Sequence, residues 1–251
     1  MTNLAPRVAA FDWPEIEASL DRQGYATLPG LLERRECETI AALYEDDARF
    51  RSRVVMERHA FGLGEYKYLR YPLPPLVETL RRACYPRLAP VANRWRGSLR
   101  EQGKFPPDLE AYLRDCHAAG QTRPTPLILK YEADGYNCLH QDLYGERVFP
   151  LQMTVLLSAP GRDFTGGEFL LVEQRPRAQS KGEVVPLDQG DAVLFAVRHR
   201  PAQGQRGPYR VTLRHGVSRV HAGQRYTLGV IFHDAEGEDA PPIFSARLIL
   251  G

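Results

Sequence analysis

The chain has 251 residues, enough to bury a sizeable core as one large domain or two small ones. Its 43% apolar and 25% charged residues are ordinary for a globular protein, and a net charge of +2 is too small to argue by itself for a nucleic-acid or membrane partner. The opening M-T-N-L-A-P-R-V-A-A-F-D-W-P lacks the apolar centre of a secretory signal, and no apolar run is long enough to span a membrane.

Trp13-Pro14 predicts a helix through about Arg22, with proline at a tolerated first-turn position. Gly24 to Gly30, G-Y-A-T-L-P-G, reads as a short strand closed by a turn. Helical spacing then runs from Glu33 to about Arg49 and from Leu76 to about Trp95, and a further helix is expected from Pro107 to Ala118. Between them, G-E-Y-K-Y-L-R-Y-P, Gly64 to Pro72, reads as packing of this helical layer or as a wall of a substrate site. Cys37, Cys84 and Cys116, with Cys138 further on, show no C-x-x-C spacing. They read as free thiols, so a cytoplasmic location is expected.

From Pro126 the period becomes that of strands. Leu127 to Tyr131, Leu151 to Leu157, Glu168 to Val172, Gly182 to Val185, Asp191 to Val197, Tyr209 to Val217 and Tyr226 to Phe232 follow one another, with a last strand expected over Ile243 to Ile249. Turn signals such as Gly166-Gly167 and Gln189-Gly190-Asp191 separate them. Short strands without intervening helices predict a mainly β fold, a double-stranded β-helix or jelly roll with packed helices. The expected organisation is a single domain over 1–251, with a mostly helical layer over 1–122 and the β core over 123–251.

K-Y-E-A-D-G-Y-N-C-L-H-Q-D-L-Y-G, Lys130 to Gly145, sets His140 and Asp142 two residues apart. Residues i and i+2 of a strand share a face, so a pair ending a strand inside a jelly roll enters the barrel mouth together. Two histidines and one carboxylate make the facial triad that holds non-haem Fe(II), and the second histidine must come from a distant strand. His199, His215, His221 and His233 are the downstream candidates. His215 lies in Y-R-V-T-L-R-H-G-V, and the chain continues S-R-V-H-A-G-Q-R-Y-T-L-G-V-I-F, a hairpin that carries Arg225 onto the next strand. An arginine there suits the far carboxylate of a keto acid chelated to the metal.

H-Q-D followed by H-G-V-S-R-V-H-A-G-Q-R-Y-T-L resembles the Fe(II)/2-oxoglutarate-dependent dioxygenase superfamily. G-Y-A-T-L-P-G-L-L resembles the first strand of many members, and T-G-G-E-F (Thr165 to Phe169) and Q-G-D-A-V-L-F (Gln189 to Phe195) resemble their core turns. The resemblance covers residues 24 to 45 loosely and 127 to 233 well. It implies His140, Asp142 and His215 as iron ligands and Arg225 as the 2-oxoglutarate anchor, with Thr227 and Tyr131 beside it. His199 is the rival distal ligand, because Arg210 follows it eleven residues later, but only His215 opens H-x-V-x-x-V-x-x-G-x-R. His221 reads as exposed, and His59, His117 and His233 as surface or packing residues.

The implied activity uses Fe(II), 2-oxoglutarate and O2 to oxidise a substrate C–H bond, releasing succinate and CO2. R-H-R-P-A-Q-G-Q-R-G-P-Y-R, Arg198 to Arg210, is expected to form a basic rim with Arg214 and Arg219, which leaves nucleic acid open as a substrate. H-Q-D and the upstream tyrosine resemble those of AlkB-type nucleic-acid dealkylases, although that group's second arginine after the distal histidine is missing. The alternatives are a protein side chain, as in prolyl-hydroxylase-like members, a small metabolite, or a cupin-like binding protein without turnover. Arg225 speaks against the last, since a bare metal site needs no carboxylate anchor.

Overall fold

In the computed structural model, which describes residues 4–237, the chain opens with α1 (Leu4–Ala9) and α2 (Trp13–Gln23). Asp12 caps α2 by accepting the Glu15 amide at 3.2 Å, and β1 (Tyr25–Leu28) follows. The helix expected from Glu33 to Arg49 is shorter: α3 (Arg34–Ala42) gives way to two 3-10 turns. Asp46 stops it, its side chain accepting the Ala48 amide at 3.1 Å and so competing with the helical ladder.

The mostly helical layer over 1–122 also contributes strands. Residues 50–69 form β2 (Phe50–Val55), β3 (Gly62–Leu63) and β4 (Glu65–Leu69), and β4 pairs with both β2 and a core strand. The aromatic segment is therefore a sheet strand. Helices resume with α4 (Pro75–Ser98) and α5 (Leu109–Ala118).

The remaining strands are β5 (Gln121–Arg123), β6 (Leu127–Tyr131), β7 (Tyr136–His140), β8 (Leu151–Leu156), β9 (Phe164–Gly166) and β10 (Phe169–Gln174). After them come β11 (Lys181–Val185), β12 (Ala192–Ala196), β13 (His199–Gly204), β14 (Gly207–Val217), β15 (Val220–Gly223), β16 (Arg225–Val230) and β17 (Ala235–Glu236). The strand expected over Ile243 to Ile249 lies outside the described residues. A seven-stranded sheet runs β1-β12-β8-β16-β6-β4-β2, and a second runs β11-β10-β14-β7-β3 with β13 on β14. These antiparallel sheets build the double-stranded β-helix that the strand pattern predicts.

Alternation along the strands divides the core. On β12, Ala192, Leu194 and Ala196 face outward into one apolar cluster with the helices, whereas Val193 and Phe195 face into the barrel. On β6, Ile128 joins the helical layer while Leu127 and Tyr131 line the interior. One fully buried ion pair fastens helix to barrel. Arg81 of α4 reaches Asp234 at 2.8 Å, and its Nε donates to the Ile231 carbonyl at 2.9 Å. Asp234 also accepts the Tyr71 hydroxyl at 2.9 Å and meets His117 of α5 at 2.8 Å.

Removing one partner strands the other charge in the interior, a loss of about 3–5 kcal/mol. Asp234→Ala should lower the unfolding free energy by that amount in urea titrations. A loss below about 1 kcal/mol, the range of exposed pairs, would mean that the clamp contributes little.

Candidate metal and co-substrate site

His140 ends β7 and Asp142 follows two residues later, while His215 arrives on β14, directly opposite His140 in the register. Between those strands His215 pairs with His140 but Val217 pairs with Asn137, so three residues of β7 span two of β14. This bulge lets Asn137 and His140, an odd number of positions apart, turn to the same side. Gly216 permits it: a Cβ there would stand 2.7 Å from the Asn137 carbonyl oxygen.

The three side chains converge. His140 Nε2 lies 3.5 Å from one Asp142 oxygen and His215 Nε2 lies 3.3 Å from the other. One donor atom from each residue falls within 4.8 Å of the rest. His140 Nδ1 donates to the Cys138 carbonyl at 2.8 Å, which fixes the tautomer and turns Nε2 toward Asp142. Phe195 packs at 4.7 Å from His215 between ring centroids, and Phe169 stacks at 6.1 Å.

Asp142 is held from both sides. Tyr144 donates to Oδ1 at 3.1 Å and Gln152 to Oδ2 at 2.8 Å, and Tyr68 in turn donates to the Tyr144 hydroxyl at 2.9 Å. Burial alone would raise the Asp142 pKa, but the adjacent His140 and His215 hold it well below the usual carboxylate range. Burial opposes charge on His140, yet Asp142 outweighs that and raises it; burial and His140 together lower His215. Two imidazoles and an anionic carboxylate fit a divalent first-row ion such as Fe(II).

Arg225 begins β16 and is 1% exposed. Its Nε and Nη1 are buried without a hydrogen-bond partner, and no carboxylate pairs with it among the described residues. Burial pushes its pKa down to about 10. Tyr131 and Phe164 close around it, with ring centroids 5.6 and 5.7 Å from the guanidinium carbon. Gly167 makes room, since a Cβ there would meet Arg225 Cδ at 2.8 Å. Buried donors aimed at nothing fit an anion, and the carboxylate of 2-oxoglutarate is such a group. Thr227, buried two residues along the same strand, shares that face. Tyr131 sits opposite Arg225, its hydroxyl accepting from Asn137 at 3.2 Å.

The rival histidine is elsewhere. His199 pairs across from Thr212, three positions from His215 and so on the other face of β14. Its pKa is pushed down to about 4 by burial and then by Arg198 and Arg210. His221 is exposed, and His233 is a packing residue that accepts the Phe149 amide at 3.2 Å.

Half of the expected basic rim is neutralised. The Arg198 to Arg210 segment is the β13–β14 hairpin, and Arg200, 1% exposed, is bound to Glu173 of β10. Arg210 pairs with Glu101 at 2.9 Å, and Arg219 pairs with Asp134. Sequence reasoning also missed Tyr144 and Gln152. Gln152 left a signal: L-Q-M-T-V-L sets polar residues at alternate positions of an apolar strand, and a buried amide needs a partner.

A family model described as "Oxygenase, catalysing oxidative methylation of damaged DNA" matches residues 64–235. Two uncharacterised proteins from two strains of Mycobacterium tuberculosis are each 52% identical over 164 residues, 65% of this chain and 70% of theirs. Among solved structures, a Trichoplax adhaerens prolyl hydroxylase in complex with a hypoxia inducible factor peptide fragment is similar with a TM-score of 0.56 and 14% identity, covering 90% of each chain. The α-ketoglutarate-dependent epimerase SnoN matches with a TM-score of 0.55 and 17% identity over 92% of each chain. A Pseudomonas putida prolyl-4-hydroxylase matches at 0.53 and 13%, over 90% of this chain and 100% of that one. At such identities these three speak for the fold, whereas the family match spans most of the chain, which belongs to this oxygenase family.

Proposed function

We propose that His140, Asp142 and His215 hold Fe(II), and that Arg225, flanked by Thr227 and Tyr131, receives the far carboxylate of 2-oxoglutarate. The observation that carries this reading is the pairing inside one barrel of a three-donor cluster with a buried guanidinium that lacks a counter-ion. When bound, iron and 2-oxoglutarate supply the oxidation of a substrate C–H bond by O2, with release of succinate and CO2. The chain's own part is to position and exclude. Tyr144 and Gln152 fix both Asp142 oxygens, the Cys138 carbonyl fixes the His140 ring, and Tyr131 and Phe164 keep water from Arg225.

The substrate we infer is an N-alkylated base in damaged DNA. Support comes from the family's description and from the H-Q-D resemblance, not from the dispersed hairpin arginines. Oxidation of an N-methyl C–H bond gives an N-hydroxymethyl group, which collapses to the free base nitrogen and formaldehyde. The base must be single-stranded or flipped to enter a barrel. On this reading residues 1–251 act as one oxygenase domain.

His140→Ala, Asp142→Ala and His215→Ala should each abolish iron-dependent succinate formation and weaken binding of Mn(II) measured by calorimetry. His199→Ala should retain both. Activity in His215→Ala together with loss in His199→Ala would reverse the ligand assignment.

Arg225→Leu should weaken 2-oxoglutarate binding by about 2–4 kcal/mol, the loss of a charge-assisted buried pair, while Mn(II) affinity stays near that of the wild type. Parallel loss of both affinities would make Arg225 a structural residue instead.

Single-stranded oligonucleotides carrying one N-methylated base should stimulate 2-oxoglutarate turnover and yield formaldehyde in step with succinate, whereas unmodified strands should not. Stimulation by a peptide or metabolite, with silence toward methylated strands, would overturn the substrate reading and leave the iron site intact.

A further inference from the structure

A second bulge stands on the other side of Asp142. Phe50 pairs with Leu69 and Ser52 with Tyr68, so Arg51 is an extra residue in β2 with no partner in the register. Such an insertion bends the strand and re-aims its side chain. Here the guanidinium carbon lies 4.4 Å above the Tyr68 ring, with Nε donating to the Pro124 carbonyl at 2.8 Å and Nη1 to Ser52 at 3.4 Å. The aromatic face and two bonds hold the fork in one orientation. Beneath it the Tyr68 hydroxyl donates to Tyr144, and Tyr144 donates to Asp142. One ring and two hydrogen bonds therefore separate this cation from the carboxylate of the metal cluster.

Among the described residues no carboxylate forms an ion pair with Arg51; the full charges that act on it at longer range are Arg123, beside Pro124, and Asp234, which is itself held by Arg81. Arg123 donates to the Gly237 carbonyl and also lacks an ion-pair partner among the described residues. Burial, and then Arg123, push the Arg51 pKa down to about 10, the direction expected of two cations sharing a partly dry place. Other arginines near the barrel are neutralised, as Arg53 is by Glu65, Arg81 by Asp234 and Arg200 by Glu173. Two arginines without an ion-pair partner among the described residues suit an anionic ligand at this position.

We propose that Arg51, with Arg123 beside it, anchors a phosphodiester of the substrate strand next to the base presented to the metal. A planar fork matches two phosphate oxygens, and its seat on Tyr68 ties that contact to the wall that supports Asp142. This proposal rests on the nucleic-acid reading above.

The test is binding of a fluorescent single-stranded oligonucleotide with one N-methylated base to the Mn(II)- and 2-oxoglutarate-loaded chain, between about 50 and 200 mM salt. Arg51→Gln should weaken binding about tenfold and reduce the log–log salt slope by about 0.7, the share of one single-strand phosphate contact. Arg51→Lys should restore the slope but not the full affinity, because the charge returns without the fork. Arg123→Gln should weaken binding in the same direction, and Arg177→Gln, on the remote turn between β10 and β11, should not. Wild-type affinity and slope in Arg51→Gln would overturn the anchor while leaving the substrate reading in place. Failure of the wild-type chain to bind the oligonucleotide would overturn both.

Discussion

The site depends on one largely enclosed carboxylate. Asp142 lies between two imidazoles, its oxygens 3.5 and 3.3 Å from their Nε2 atoms, and each oxygen also accepts a neutral donor. An anion in that position would be costly without these partners, so its surroundings are fixed by it. Tyr144 and Gln152 lie on opposite sides, Tyr68 holds Tyr144, and the bulge brings His140 inward while Gly216 clears its path. The packing and hydrogen bonds around the cluster thus hold its donor atoms in one arrangement.

Arg225 is the opposite pole. It sits in the same barrel, its Nε and Nη1 without a hydrogen-bond partner among the described residues, an arrangement that suits an anion. The two poles explain why the inner face is not simply apolar. Strand alternation sends one set of aliphatic side chains outward to the helices and sets tyrosines, Thr227, Gln152 and Arg225 among the apolar residues that line the interior, such as Leu127, Val193 and Phe195. A jelly roll stabilised mainly by its outer apolar layer is free to keep a polar inside.

Much of this was legible in the sequence, for physical reasons that differ by region. From Leu127 to Val230 the antiparallel strands alternate between a helical layer and a barrel interior, so their period survives in the residues, and His140, Asp142, His215 and Arg225 fall in strand context. The first half misled. F-R-S-R-V-V and E-Y-K-Y-L carry charges whose cost is removed by distant partners, Lys67 by Asp47 at 2.6 Å and Arg53 by Glu65. No local pattern reveals such partners. The alternation of Tyr66 and Tyr68 with charged neighbours was present, but two short strands among helices give few repeats to count.

The same limit governed the arginines. A run of basic residues from Arg198 to Arg210 suggests a patch only if the side chains stay free, and the hairpin instead buries Arg200 on Glu173 and turns Arg210 to Glu101. Arg51 makes the converse case, standing in an unremarkable stretch where a register shift leaves it unpaired in the ladder and directs it onto Tyr68. The two bulges act alike: one inserted residue turns His140 inward on β7, and another turns Arg51 onto the ring that braces Asp142. Charge in a sequence therefore counts toward binding only after register has decided which charges find partners. Here, among the described residues, register leaves Arg225 without an ion pair within the barrel and sets Arg51 on Tyr68, the ring that braces Asp142 through Tyr144.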